Sequence, residues 1–175
     1  MRNGKRHTDM DLLRFNALEK VLYDYAVEVR NLYQDNLIQS DRIASGDLLN
    51  SVEFEVTKGD ESYEVSLILA DYWKAVEFGT KPHHVPYEDL LRWVKIKPVI
   101  PRPGKDGQIP SQESLAYLIQ RSIGEKGTQG SEDLTRTLEA VNEKYEKLIA
   151  DAMDVDLAEL MDRVFFEDFG KQGRV

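Results

Sequence analysis

Between Asp11 and Gln39 the chain contains neither proline nor glycine, while Leu18, Val21, Leu22, Tyr25, Val29, Leu32 and Tyr33 recur at steps of three and four. At 3.6 residues per turn those positions share one face of a helix, and Glu19, Lys20, Asp24, Glu28 and Arg30 take the solvated side. One long helix is therefore predicted over residues 11–39. A second such pattern follows near the other end, at Leu134, Leu138, Val141, Tyr145, Leu148 and Ile149. A final helix over about 155–169 presents Leu157, Leu160, Met161, Val164 and Phe165. Amphipathic helices of this length need other elements to cover their apolar faces.

The segment between them changes period. Ser45-Gly46 breaks the helical pattern, with Ser45 placed to cap a short turn over Asp47 to Asn50. Val52, Phe54 and Val56 then alternate with Glu53, Glu55 and Thr57, and Tyr63, Val65, Leu67 and Leu69 alternate in turn. A period of two means strands, and Lys58-Gly59-Asp60-Glu61 between the runs reads as a hairpin connection. The fold class expected is α+β: a small antiparallel sheet packed with long amphipathic helices, plus a C-terminal helical arm. A length of 175 residues fits one domain with an arm. The divisions expected are a flexible basic arm over 1–10, an α+β domain over 11–150 and a helical extension over 151–175.

The densest run of large side chains is Asp71 to Thr80, with Tyr72, Trp73 and Phe78 in seven residues and Gly79 as a stop. A short helix or irregular segment at the sheet edge is predicted for 72–78. Lys81-Pro82-His83-His84-Val85-Pro86 must be non-helical, and Pro86 suits the first turn of a helix over 87–97 that buries Leu90, Leu91 and Val94, with Trp93 as a further candidate. Residues 98–110 hold four prolines and two glycines, a long loop with Arg102 and Lys105 at its tip. Ser111 can cap a further helix burying Leu115, Leu118, Ile119 and Ile123, and Gly124 to Gly130 reads as a C-cap and hinge.

The order of these pieces carries a resemblance. Ser45-Gly46-Asp47-Leu48-Leu49-Asn50-Ser51 stands before the strand pair, Val76-Glu77-Phe78-Gly79-Thr80 after it, and Ile119 to Gly130 (IQRSIGEKGTQG) before the long C-terminal helix. Over roughly residues 10–150 this series resembles the head–tail joining, neck or tail-completion proteins of tailed bacteriophages. Relatives in that family often carry a Pro-Phe pair after the Lys-Gly segment, where this chain has Gly130-Ser131-Glu132-Asp133. The resemblance implies a non-enzymatic virion protein at the head–tail interface, made in the host bacterial cytoplasm. It further implies a homo-oligomeric ring that contacts portal, connector or tail proteins while DNA passes through its channel. Such a role needs surface rather than chemistry, and the expected interface residues are Tyr72, Trp73, Glu77, Phe78, Gly79, Thr80, His83, His84, Arg92, Lys95, Lys97, Arg102 and Lys105.

Charge fits a conduit better than a duplex binder. Of the net −9, residues 131–168 hold −8, with twelve acids against four bases. Duplex affinity comes largely from Lys and Arg neutralising phosphates, whereas an acidic wall repels a passing backbone. The basic set around Lys81, Arg92, Lys95, Lys97, Arg102 and Lys105 invites contact between one subunit's loop and its neighbour's acidic helix, the heterologous kind that closes rings.

Other chemistries find little to use. No apolar run approaches a membrane span, and the basic N-terminus lacks the apolar region of a secretory signal, so a soluble chain is expected. There is no cysteine. His83 and His84 are adjacent, which rarely suits one ion, and no spaced His or carboxylate set accompanies them, so neither metal nor cofactor is expected. Asp151, Asp154, Asp156 and Glu159 lack the glycine and ligand spacing of a calcium loop. The 124–130 segment lacks the Gly-Lys-Ser/Thr order of a phosphate-binding loop, and no serine sits in a nucleophile elbow. Two alternatives remain: a metal-dependent hydrolase built on His83, His84 and nearby carboxylates, and a DNA-associated adaptor using the N-terminal and loop bases.

Overall fold

A computed structural model of the chain describes residues 15–41, 43–59, 62–97, 99, 101–103 and 107–170, with side chains through 165. The expected N-terminal arm, the first residues of the predicted helix and Lys105 lie outside the described residues.

The long apolar stripe near the N-terminus forms α1 (Asn16–Gln39), and the C-terminal patterns form α6 (Asp133–Gly170). The two run antiparallel, so that partners descend along α6 as they ascend along α1. Asp156 meets Ala17 and Leu18, Glu28 meets Lys144, Asn36 Nδ2 donates to Thr137 Oγ1 at 2.8 Å, and Ser40 Oγ donates to Asp133 Oδ2 at 2.7 Å. Val29 packs on Val141 and Tyr145, while Tyr33 and Leu37 pack with Leu48, Val52 and Leu134. Tyr25 and Tyr145 meet edge to face with centroids 5.5 Å apart.

The two expected C-terminal helices are one. Residues 150–155 contain no proline or glycine, so nothing interrupts the backbone hydrogen bonds between them. The expected division at 150/151 therefore falls inside a continuous helix, and Ala152 and Asp156 beyond it are buried. At 1.5 Å per residue, the 38 residues of α6 span about 57 Å and the 24 of α1 about 36 Å, so α6 outruns its partner.

The hairpin forms as the alternation predicts: β1 (Glu53–Lys58) and β2 (Tyr63–Ile68) pair antiparallel, from Glu53 opposite Ile68 to Lys58 opposite Tyr63. It lies on α1, where Tyr23 meets Phe54 edge to face at 5.3 Å and Leu67 joins both clusters on the α1 face. Ahead of it, α2 (Asp47–Asn50) starts from Gly46 in the left-handed region (φ 86°). Ser45 Oγ lies beside Asp47 Oδ2 at 2.7 Å and reaches the Asp47 amide only at 3.4 Å, so the turn rests on the glycine more than on the expected serine cap.

The aromatic run is α3 (Trp73–Phe78), followed by β3 (Gly79–Thr80). Beyond the Pro/His loop, α4 (Tyr87–Ile96) and α5 (Gln112–Lys126) pack on each other around Leu90, Val94 and Ala116, a cluster separate from the α1–α6 core. Ser111 Oγ accepts the Ser114 amide at 3.2 Å, as a cap should. Leu118, expected in this core, is exposed because the helix turns Ala116, Ile119 and Ile123 inward instead. The short β4 (Thr128–Gln129) pairs antiparallel with β3 and leads into α6.

Candidate functional site

Val76 to Thr80 and Gly127 to Thr135 close on each other, although they are some fifty residues apart in sequence. Gly79 stands opposite Gln129 and Thr80 opposite Thr128, with the two threonine hydroxyls 3.0 Å apart. Three glycines permit the approach. A Cβ on Gly79 would lie 2.1 Å from the Thr128 carbonyl oxygen, one on Gly127 1.9 Å from that of Thr80, and one on Gly130 2.2 Å from that of Glu77. Gly79 and Gly127 also have φ of +73° and +76°, a region side chains disfavour. Gly127 does end α5, as its sequence suggested, but 127–130 is fixed by pairing rather than left as a hinge.

The pairing continues into the start of α6. Ser131 N donates to the Val76 carbonyl at 3.0 Å and Glu132 N to that of Glu77 at 3.1 Å. The Glu77 side chain then accepts Leu134 N–H at 2.9 Å, Thr135 N–H at 2.8 Å and the Thr135 hydroxyl at 2.7 Å. A helix leaves its first amides without intrahelical partners and carries a partial positive charge at that end. A carboxylate supplied from α3 satisfies both needs. Glu77 is 1% exposed, so it is enclosed within this chain and presents nothing to a partner.

Around it sits a buried polar cluster that the apolar pattern did not announce. Asp133 is fully buried, accepting from Ser40 and pairing with Arg136, and the Thr137 hydroxyl donates to the Asp133 carbonyl at 2.7 Å. The Tyr33 hydroxyl lies nearby in the core with no hydrogen-bond partner among the described residues. Burial holds its phenol well above the usual tyrosine range, and the Glu77 and Asp133 charges push the same way.

The expected interface residues divide between inside and outside. Trp73 packs with Val76 against the main core and tilts onto Phe78 at 6.1 Å between centroids. Tyr72 and Phe78 point outward, the latter 66% exposed although adjacent to Glu77. Arg92, Lys95 and Arg102 are exposed, Arg92 with Asp89 at 3.7 Å. Lys97 turns back, bonding the Asp41 carbonyl and lying 3.4 Å from its carboxylate, so it ties the end of α4 to the end of α1.

His83 and His84 are both exposed, and His83 Nδ1 is 2.9 Å from the Lys81 carbonyl. The hydrolase reading needs nearby carboxylates, yet both Glu77 oxygens are engaged by α6. Among the described residues no group of three or more His, Asp or Glu could hold a metal ion, and no helix is long and apolar enough to cross a membrane.

Between the α4–α5 pair and the α1–α6 body lies an open cleft of about 630 Å³. Val76, Trp93, Ile119 and Ile123 give it apolar walls, and Thr80, His83 and the Lys97–Asp41 pair lie at its polar edge. The structure thus gathers three expected residues, Thr80, His83 and Lys97, around one opening. Asp156, Asp133 and Thr135 were not legible as structural residues. The sequence predicts that α1 starts at Asp11, and only the structure places its start after Phe15, whose side chain cannot cap it, so that an acceptor must come from elsewhere. No protein-family model, curated protein or solved structure matches this chain.

Proposed function

We propose that the chain is a non-enzymatic structural subunit of a phage virion, one of several copies forming a ring at the head–tail connector, neck or tail-completion layer. One observation carries the reading most directly. The segment Tyr72 to Thr80 buries Glu77 to lock the fold while turning Tyr72 and Phe78 out to solvent. Aromatic side chains held on a fixed element lose little entropy on docking and bring large apolar area to a contact.

Charge supplies the second half of the contact. Arg92 and Lys95 on α4 and Arg102 in the loop after it are exposed, as are Asp151, Glu159 and Asp162 on the α6 extension. Basic loop to acidic helix is a heterologous contact, which builds a ring where its rotation closes. DNA passing through such a ring is repelled by the acidic helices rather than held. The resemblance of the Ser45-Gly46 turn, the Val-Glu-Phe-Gly-Thr segment and the Lys-Gly-Thr-Gln-Gly segment to phage neck proteins supports the same assignment.

Light scattering across a concentration series, followed by negative-stain microscopy, tests this reading. Ring-shaped particles whose formation weakens with salt are expected. A monomer at every concentration, alone and mixed with portal or tail proteins, would overturn it.

A further inference from the structure

One face of α6 carries a seam distinct from the face that packs on α1. Glu139, Glu143, Glu146, Ala150, Met153, Leu157, Leu160 and Val164 follow one another at steps of four and three, the heptad spacing that keeps residues in line along a helix. Its first part is acidic and its second apolar. Every residue of the seam is exposed except the half-buried Leu160, with Met153 at 50%, Leu157 at 51% and Val164 at 46%. The α1-facing positions Val141, Tyr145, Ala152 and Asp156 lie about a third of a turn away.

We propose that residues 1–14 of the same chain dock along this seam. The chain enters α1 at Phe15, and the amides of Ala17 and Leu18 sit on Asp156. The N-terminal segment is thereby delivered to the level of Leu157. Moving back from Phe15, the segment carries its apolar residues first, at Leu13, Leu12 and Met10, with Asp11 and Asp9 flanking Met10, and its basic cluster after them, at Arg6, Lys5 and Arg2. Moving back along the seam from that level, α6 is first apolar, at Leu157 and Met153, and then acidic, at Glu146 and Glu143. Read in that direction, the two orders match. Reach is sufficient: ten residues from Phe15 to Lys5 extend up to roughly 33 Å, and Asp156 to Glu143 along the helix is about 20 Å.

A second copy of the seam is the competing occupant. Paired in parallel, it sets Glu139, Glu143 and Glu146 against themselves, and paired antiparallel it sets those acids against Leu157 to Val164. Like charges in line and acids against apolar groups both disfavour it.

The chain has no cysteine, so Leu157→Cys supplies a single thiol on an exposed position of the full-length protein. Its rate of reaction with a maleimide is compared with that of the same chain carrying Arg2→Glu, Lys5→Glu and Arg6→Glu. The charge-reversed arm should speed labelling roughly tenfold, equivalent to about 1.4 kcal/mol of docking, and added salt should do the same in the unreversed chain. Equal rates in the two chains overturn the proposal, as does protection that appears only as protein concentration rises. A Lys5→Cys/Glu146→Cys pair gives an independent reading: a disulfide within one chain in dilute oxidising solution supports docking, and links only between chains overturn it.

Discussion

The Glu77 carboxylate accepts the backbone N–H of Leu134 from 57 residues away, at 2.9 Å and in the buried interior. The same relationship occurs at the far end of the helix pair, where Asp156 accepts Ala17 and Leu18 amides at 3.0 and 2.7 Å. Each long helix therefore has its first amides satisfied by an acid from another element. Asp156 belongs to α6 itself, so the pair is fixed in register at both ends.

Replacing Glu77 with alanine leaves the buried Leu134 amide and the part-buried Thr135 amide without their acceptor. Hydrogen bonds to a charged group contribute about 1.5–3 kcal/mol. A loss of about 3 kcal/mol is expected, which lowers Tm by roughly 6–12 °C for a chain of this size. Glu77→Gln keeps one acceptor oxygen and should lose distinctly less. Thermal melts followed by helix circular dichroism decide it, and identical melts for alanine and wild type would show that the carboxylate does not hold α6.

Asp156→Ala should fray the start of α1 at a cost of about 1–2 kcal/mol, the usual range for losing an N-terminal cap. Amide hydrogen exchange at Ala17 and Leu18 should accelerate well before exchange at Val29 or Tyr33. Unchanged protection at those two amides counts against the cap.

Gly79→Ala and Gly127→Ala each force a Cβ into a carbonyl oxygen, whereas Gly107, also at positive φ, has nothing within 4 Å among the described residues. Gly107→Ala should thus cost only the backbone strain, about 1 kcal/mol. The other two should cost considerably more, because β3 and β4 must separate. Urea midpoints for the three variants give the ranking, and equal shifts would refute the close pairing.

Tyr145 donates to Glu28 at 2.9 Å. Burial foremost, then the Glu28 hydrogen bond and charge, push its phenol up to about 12. A raised folded value means the neutral form stabilises the fold at pH below about 10, the unfolded value, and that this contribution is lost as pH climbs toward 12. The partner acts at the other end of the scale: the Lys144 hydrogen bond holds Glu28 below its ordinary value, so its contribution is present at neutral pH and fades in acid. Denaturation measured between pH 8 and 12 should show the alkaline decline shrink in Tyr145→Phe.

Phe78→Asp should leave stability within roughly 0.5 kcal/mol of wild type, as exposed positions do, yet weaken self-association. Its neighbour Glu77→Ala should behave the opposite way. Sedimentation and melts on both variants separate the outward role from the inward one, and a Phe78→Asp chain that unfolds would remove the case for a docking residue there.

Local rules carried much of the fold. The three-and-four spacing of Leu18 to Tyr33, the alternation of Val52 to Val56, the proline before α4 and the Ser111 cap each depend on residues a few positions apart, and each formed as expected. The joining of two predicted C-terminal helices into α6 was readable too, since nothing in residues 150–155 stops a helix.

What lay beyond local spacing was the destination of the buried acids. In the sequence, Glu77 sits in an aromatic run that looks like surface, and Asp156 sits in an acidic helix that looks solvated. Whether a carboxylate faces water or another helix's amides depends on which ends the antiparallel packing of α1 and α6 brings together. That is a long-range geometric outcome, and burying a charge is tolerated only where such donors await it. The periodicity of the chain determined its helices and hairpin, and the packing alone decided which of its charged and aromatic residues became structural and which remained on the surface.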